Sequence, residues 1–158
     1  MRFVPAELAD QWTRQKDGFA RGVDVTPERS ERYRATRRRL IRELHAAGVP
    51  VALGSDAFNM FVVPGTGTFD ELETLVASGL SPFAALSAGT VRVAQLLGIS
   101  AVSGTVAVGG AADLVLLDAD PLSDVANVRR QAGVMLRGRW MPREEIERRL
   151  SQLAAAPR

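Results

Sequence analysis

The spacing of hydrophobic and polar positions changes several times along this chain, and each change predicts a different element. From Pro5 to residue 20, Leu8, Trp12 and Phe19 fall on one side of a helical period, with Pro5 suited to the first helical position. Gly18, Gly22 and the Asp24-Val25-Thr26-Pro27 stretch break that pattern. Thr26 then offers an N-cap and Pro27 a first helical residue, so a long helix is expected to about Ala47. Its apolar face is Tyr33, Leu40, Ile41 and Leu44, its arginines face water, and Gly48 ends it as a C-cap glycine. His45 lies in the last turn, where a cation suits the helix dipole, and reads as a surface or capping residue.

The periodicity then disappears. Val49, Val51, Ala52 and Leu53 run without polar alternation into Gly54-Ser55-Asp56-Ala57. Such a run predicts a short strand buried on both faces, as in parallel sheets and barrels, where the chemistry sits at the carboxyl ends of the strands. Asp56 stands at that end, and Gly54 allows backbone or ligand to come close. A turn or N-cap role is the plainer use of the same carboxylate. Residues 57–67 form a loop rich in glycine and apolar side chains, suited either to a pocket wall or to ordinary core contact.

Helical spacing returns at Thr68, where Thr68 to Glu71 matches a capping box. Phe69, Leu72, Leu75 and Val76 share a face of that helix, which stops at Gly79. Ser81-Pro82 starts a second helix, and Thr90 caps a third with Val93, Leu96 and Leu97 buried and Gly98 at its end. From Ile99 the texture turns to alternation. Val102, Val106 and Val108 alternate with small or polar residues, Asp113 to Asp118 reads as a strand, and residues 134–140 read as a hairpin with Gly138 at its tip. A last helix runs from Pro142 to Leu153, with Ile146, Leu150 and Leu153 on one face.

Length and composition narrow the chemistry. A chain of 158 residues is enough for one domain with a core. No cysteine is present, which removes disulfides and thiolate metal sites, and a single histidine cannot supply a multi-histidine metal site. The net charge is +2. Arginines cluster between Arg29 and Arg42 with Tyr33 as the one aromatic among them, so they read as a solvated helix face and no nucleic-acid partner is expected. No segment approaches the ~20 apolar residues of a membrane span, and Met1 to Pro5 has no signal-peptide core, so a cytoplasmic chain without a membrane partner is expected.

The order of these elements resembles the C-terminal third of the amidohydrolase superfamily, with its closest likeness to imidazolonepropionase-like and dipeptidase-like members. Residues 47–57 look like the eighth barrel strand with its aspartate. Glu71 to Pro82, and Ala84, Leu86, Ala88, Thr90, Ala94, Leu97 and Gly98, look like the helices after it. Residues 104–109 and 112–122 look like the returning strands of a small β-sandwich. The resemblance is strong over about residues 45–141 and looser before them. It implies an α/β chain, the C-terminal fragment of a (β/α)8 TIM barrel plus part of its β-sandwich. The division would be residues 1–98 for barrel, 99–141 for β-sandwich strands and 142–158 for a C-terminal helix.

The resemblance also implies a metal-dependent hydrolase of carbon–nitrogen bonds. One or two divalent metals, zinc by family habit, would sit at the barrel mouth and act on a small-molecule or dipeptide-like substrate. Asp56 takes the position of the aspartate that binds metal and relays the proton of the attacking water, and Asn59 and Met60 stand where family loops line the substrate pocket. The family's other metal ligands belong to upstream strands. Two local departures bear on the substrate: Phe69-Asp70 where a histidine is common before the Glu-Leu pair, and Ala111 where a basic residue is common. A different reading makes this polypeptide a non-catalytic truncated product or assembly module that self-associates or pairs with a missing barrel portion. A third takes Ser55 as a nucleophile, but it lacks a G-x-S-x-G elbow and His45 stands at the far end of the strand.

Overall fold

The computed structural model describes residues 3–22, 26–57 and 59–155. Asp24, Val25 and Phe58 lie outside that set, as does the side chain of Phe19. Helices α1 (Ala6–Gly22) and α2 (Pro27–Ala46) lead to an extended segment and loop, then to α3 (Thr66–Ala77), α4 (Pro82–Ala88) and α5 (Val91–Leu96). Strand β1 (Leu114–Leu117), a 3-10 helix (Val125–Arg129), β2 (Gln131–Leu136), β3 (Arg139–Pro142) and α6 (Arg143–Ala155) follow. The strands form one antiparallel sheet in the order β1-β2-β3. None of the described helices is long and apolar enough to cross a membrane.

Glycine sets the exits of three helices. After α2, Gly48 takes a positive φ of 78°; its N–H donates to His45 C=O at 3.0 Å and Val49 N–H donates to Leu44 C=O at 3.0 Å. This pair of bonds satisfies the orphan carbonyls of the last turn and redirects the chain. Gly79 (φ 106°) repeats it after α3, with Leu80 N–H on Leu75 C=O, and Gly98 (φ 70°) after α5, with Ile99 N–H on Ala94 C=O. At the end of α3 the two residues so joined, Leu75 and Leu80, are both buried in the core. The expected caps Thr26 and Ser81 also form, accepting from the N–H groups of Arg29 and Ala84 at 3.2 and 3.1 Å.

The core lies between α3, α4 and the 3-10 helix. Leu72, Leu75, Leu80, Ala85, Ala88, Val125 and Val128 are buried together, with Ile41, Val51, Leu53 and Leu117 packed against them. Arg129 clamps the outside of this contact. Its guanidinium lies 5.4 Å from the Phe69 ring centroid and reaches Glu73 at 2.6 Å and Asp70 at 2.5 Å. In the sheet, Arg137 and Gly138 both have positive φ, the backbone that a two-residue hairpin turn demands. Gly133 lies under the Trp140 ring, and a Cβ there would also meet Met141 O at 2.8 Å. Arg143 binds α6 to the sheet by donating to Gln131 C=O and to Asp118.

Several expectations are corrected. Residues 51–54 are extended but form no strand, because no neighbouring strand among the described residues offers a ladder; Leu53 N–H instead donates to Ala88 C=O at 3.0 Å, the end of α4. Ala52 and Gly54 are exposed, so the segment is not buried on both faces. Helix α1 continues through Gly18. Helix α3 starts at Thr66 behind Gly65, two residues before the expected capping box, so Thr68 and Glu71 are both inside it. Thr90 gives no side-chain cap; its hydroxyl donates to Leu86 C=O at 2.8 Å.

The buried residue of α5 is Ala94, while Leu96 and Leu97 are exposed, because only the small side lies against Gly104. Residues 99–112 contain no strand; the positive-φ glycines Gly104 and Gly109 keep them in turns, and Val106 and Val108 are exposed. On α2, Ile41 alone of the expected face packs on the core, whereas Tyr33, Leu40 and Leu44 are 63%, 54% and 40% exposed. Leu150 and Leu153 of α6 are exposed as well, because the sheet meets that helix through its first turns and Arg143.

Leu75 is the largest apolar side chain fully enclosed at the centre of this core, at 2% exposure. Leu75→Ala is expected to destabilise the chain by about 2–5 kcal/mol through lost transfer energy and the cavity left behind. Urea denaturation should show a lower midpoint with an unchanged slope.

Candidate active site

Asp56 ends the extended segment, and its backbone is unusual. Its φ of 48° puts a non-glycine residue in the left-handed region, which Asp tolerates better than most residues but at a cost of order 1 kcal/mol. Asn59 N–H donates to Asp56 C=O at 3.0 Å, and Val62 N–H donates to Asn59 C=O at 3.0 Å, so two successive turns carry the chain away from the carboxylate. Asp56, Asn59 and Met60 are all exposed. The structure therefore places the three expected site residues on one short turn, with Asp56 held in a left-handed backbone conformation.

The apolar loop after Asp56 folds against the protein. Phe61 also has a positive φ, 64°, and its ring lies 5.8 Å from that of Trp12, which is buried in α1. Val62 and Ser55 both approach Gly67 in the first turn of α3; a Cβ there would meet Val62 Cγ1 at 2.8 Å and Ser55 Cβ at 3.5 Å. Helix α3 thus begins directly against the residue before Asp56. Phe61 and Val62 make the contacts of this loop, while Met60 and much of Phe61 stay exposed outside the core cluster.

Glu71 follows Gly67 by one helical turn and so lies on the same face of α3. Burial holds the Glu71 carboxyl above its ordinary pKa; the charge of Arg37 opposes that shift and the charge of Asp56 adds to it. The Glu71 carboxyl therefore feels the charge of Asp56 from one side and of Arg37 on α2 from the other, with burial the larger effect. The sequence pattern had assigned Glu71 to a cap. The signal that could have found it is its i, i+4 spacing from Gly67, a residue that packs on the strand end.

A divalent metal is what the sequence resemblance implies. Among the described residues, no three of His, Cys, Asp and Glu are grouped as a metal site. A catalytic zinc site uses about three protein ligands, so the two carboxylates here do not fit a metal centre alone. His45 stands at the opposite end of the 49–56 segment, beside Gly48 and Val49, and brings neither a ligand to Asp56 nor a base to Ser55.

The raised pKa of Glu71 carries a stability consequence. Between its ordinary pKa and the raised one, the folded state binds more protons than the unfolded state, so stability falls as pH rises through that window. The contribution of neutral Glu71 is complete below the ordinary pKa and lost above the folded one. Glu71→Gln should therefore be more stable than the parent at pH 8, and the difference should close near pH 4. Thermal melts across that range check it; a difference independent of pH would show that burial does not raise the Glu71 carboxyl.

Comparison with known proteins places this arrangement. The description "Amidohydrolase family" matches residues 10–141. Imidazolonepropionase of Chromobacterium violaceum is 37% identical over 90 residues, covering 54% of this chain and 21% of that protein. Bottromycin amidohydrolase superposes with a TM-score of 0.73 at 26% identity, covering 96% of this chain and 34% of that one. Molinate hydrolase gives 0.64 at 30% identity, covering 75% of this chain and 28% of that one. The chain spans about a fifth to a third of the length of these relatives. With the family pattern running through both α1 and the β2–β3 hairpin, this chain belongs to the amidohydrolase family.

Proposed function

We propose that this chain contributes to a metal-dependent hydrolase of carbon–nitrogen bonds, acting on a small amide, cyclic amide or dipeptide-like substrate. The observation that carries the reading is Asp56: an exposed carboxylate on a left-handed backbone turn, at the end of the segment that aligns within the family match. A carboxylate so placed can accept the proton of an attacking water and return it to the leaving nitrogen. Asn59 and Met60, on the same turn, are the substrate-facing candidates.

In this reading residues 1–98 are the last part of a (β/α)8 barrel, residues 99–141 belong to a β-sandwich completed elsewhere, and residues 142–158 close the chain. The remaining metal ligands, and the strands that would pair with residues 51–54, then come from a barrel portion outside this polypeptide. Zinc is the ion we propose. This chain alone would be inactive.

The test is to express this chain fused to, or together with, an upstream barrel segment from a close relative, and to screen N-acyl amino acids, dipeptides and cyclic amides. Hydrolysis is expected, with loss on chelation and return with zinc. Asp56→Asn keeps a residue tolerant of the left-handed backbone and should lower kcat by at least about 10²–10⁴-fold. Full activity in Asp56→Asn would remove it from the mechanism.

A second reading, a non-catalytic assembly module, is favoured by one observation: Tyr33, Leu40 and Leu44 lie exposed in a line along α2. Sedimentation of the 158-residue chain separates the two. A compact monomer that binds no apolar dye would count against the module.

A further inference from the structure

A concavity lies at the other end of the 49–56 segment from Asp56. It has a volume of about 340 Å³ and is enclosed by the α2–segment junction, the α3–α4 corner, α4 and α5. None of Asp56, Asn59, Met60 and Glu71 lines it, so it is no part of the candidate active site.

Its lining is divided by chemistry. Val49, Val51 and Leu80 make the apolar part of the lining, together with Phe83, which is 69% exposed. His45, Ser87 and Arg92 supply the polar groups. No aspartate or glutamate lines the cavity. Arg92 uses one N–H on Gln95 Oε1 at 3.2 Å, which leaves most of its five donors unspent. No hydrogen bond ties the His45 ring or the Ser87 hydroxyl to another described residue. The carbonyls of Leu44 and His45 that would otherwise repel an anion at this helix end already accept from Val49 and Gly48. Phe83 and Ser87 are one turn apart on α4, so the aromatic wall and the hydroxyl look the same way.

We propose that this cavity binds a small carboxylic acid with an apolar, ring-bearing body. The ring would lie on the apolar lining against Phe83, and the carboxylate would accept from Arg92, with Ser87 and His45 beside it. A guanidinium suits a carboxylate because its planar N–H pairs match the two oxygens. The volume is at the small end of ligand sites, enough for one ring and a short acid. The inference does not rest on the hydrolase reading, since it uses none of the residues around Asp56.

Amide NMR of the full 158-residue chain tests it, with benzoate, benzamide and acetate as probes. Benzoate is expected to shift the amides of Val49, Val51, Ala84 and Ser87 as one saturable set. Benzamide, lacking the charge, and acetate, lacking the ring, should each bind at least about tenfold more weakly. Arg92→Gln and Phe83→Ala should each weaken benzoate by about tenfold, while Arg38→Gln, outside the cavity on α2, should leave it unchanged. Equal binding of benzamide, shifts scattered over the exposed apolar surface, no saturable binding, or full affinity in Arg92→Gln would overturn the proposal. The probe comparison uses the unaltered chain, so it stands even if a variant folds poorly.

Discussion

The packing of α3 against the 3-10 helix holds the helical and sheet-bearing parts of this chain together. Leu72 and Leu75 meet Val125 and Val128 in the one core cluster of the described residues. That contact joins segments about fifty residues apart, so its loop-closure cost is offset by burial and not by local propensity. Arg129 adds direction more than energy. Exposed ion pairs contribute about 0–1 kcal/mol each, but its two carboxylate partners and the Phe69 ring fix how α3 rotates on the 3-10 helix.

The rotation of α3 has a consequence at its other end. The face that carries Leu72 and Leu75 into the core leaves Gly67 against Ser55, one helical turn before Glu71. The candidate site is therefore set by the same packing that makes the core. Asp56 is held in the left-handed region by the turn to Asn59, and the loop beyond it is anchored by Phe61 on Trp12. A glycine at 67 is required because Val62 already occupies the space of a side chain there.

The exposed apolar residues follow a consistent pattern. Tyr33, Leu40 and Leu44 on α2, Val106 and Val108 in the turns, and Val115 and Leu116 on the edge strand β1 all face outward. The extended segment at 51–54 likewise has the composition of a central strand without a ladder. Burial of such surfaces needs neighbours. In the proposed hydrolase those neighbours are the rest of a barrel and the rest of a sandwich.

Local chemistry made much of this legible in the sequence. Thr26 and Ser81 cap, Gly48, Gly79 and Gly98 end their helices, and Gly138 turns a hairpin, because each depends on backbone geometry within a few residues. The family likeness and Asp56 at the end of residues 51–54 were also readable, since both are carried by residues in order. The tertiary structure decided what depends on residues far apart. Residues 51–54 needed partner strands that periodicity cannot count. The apolar face of α2 needed a cover, and α5 buries Ala94 in place of its leucines because Gly104 leaves room only for a small side chain. Glu71 feels the Asp56 charge because packing brings α3 beside the 51–56 segment, from which it is distant in sequence. Sequence by itself determined where each element turns and ends; long-range packing decided which face of each element meets which neighbour.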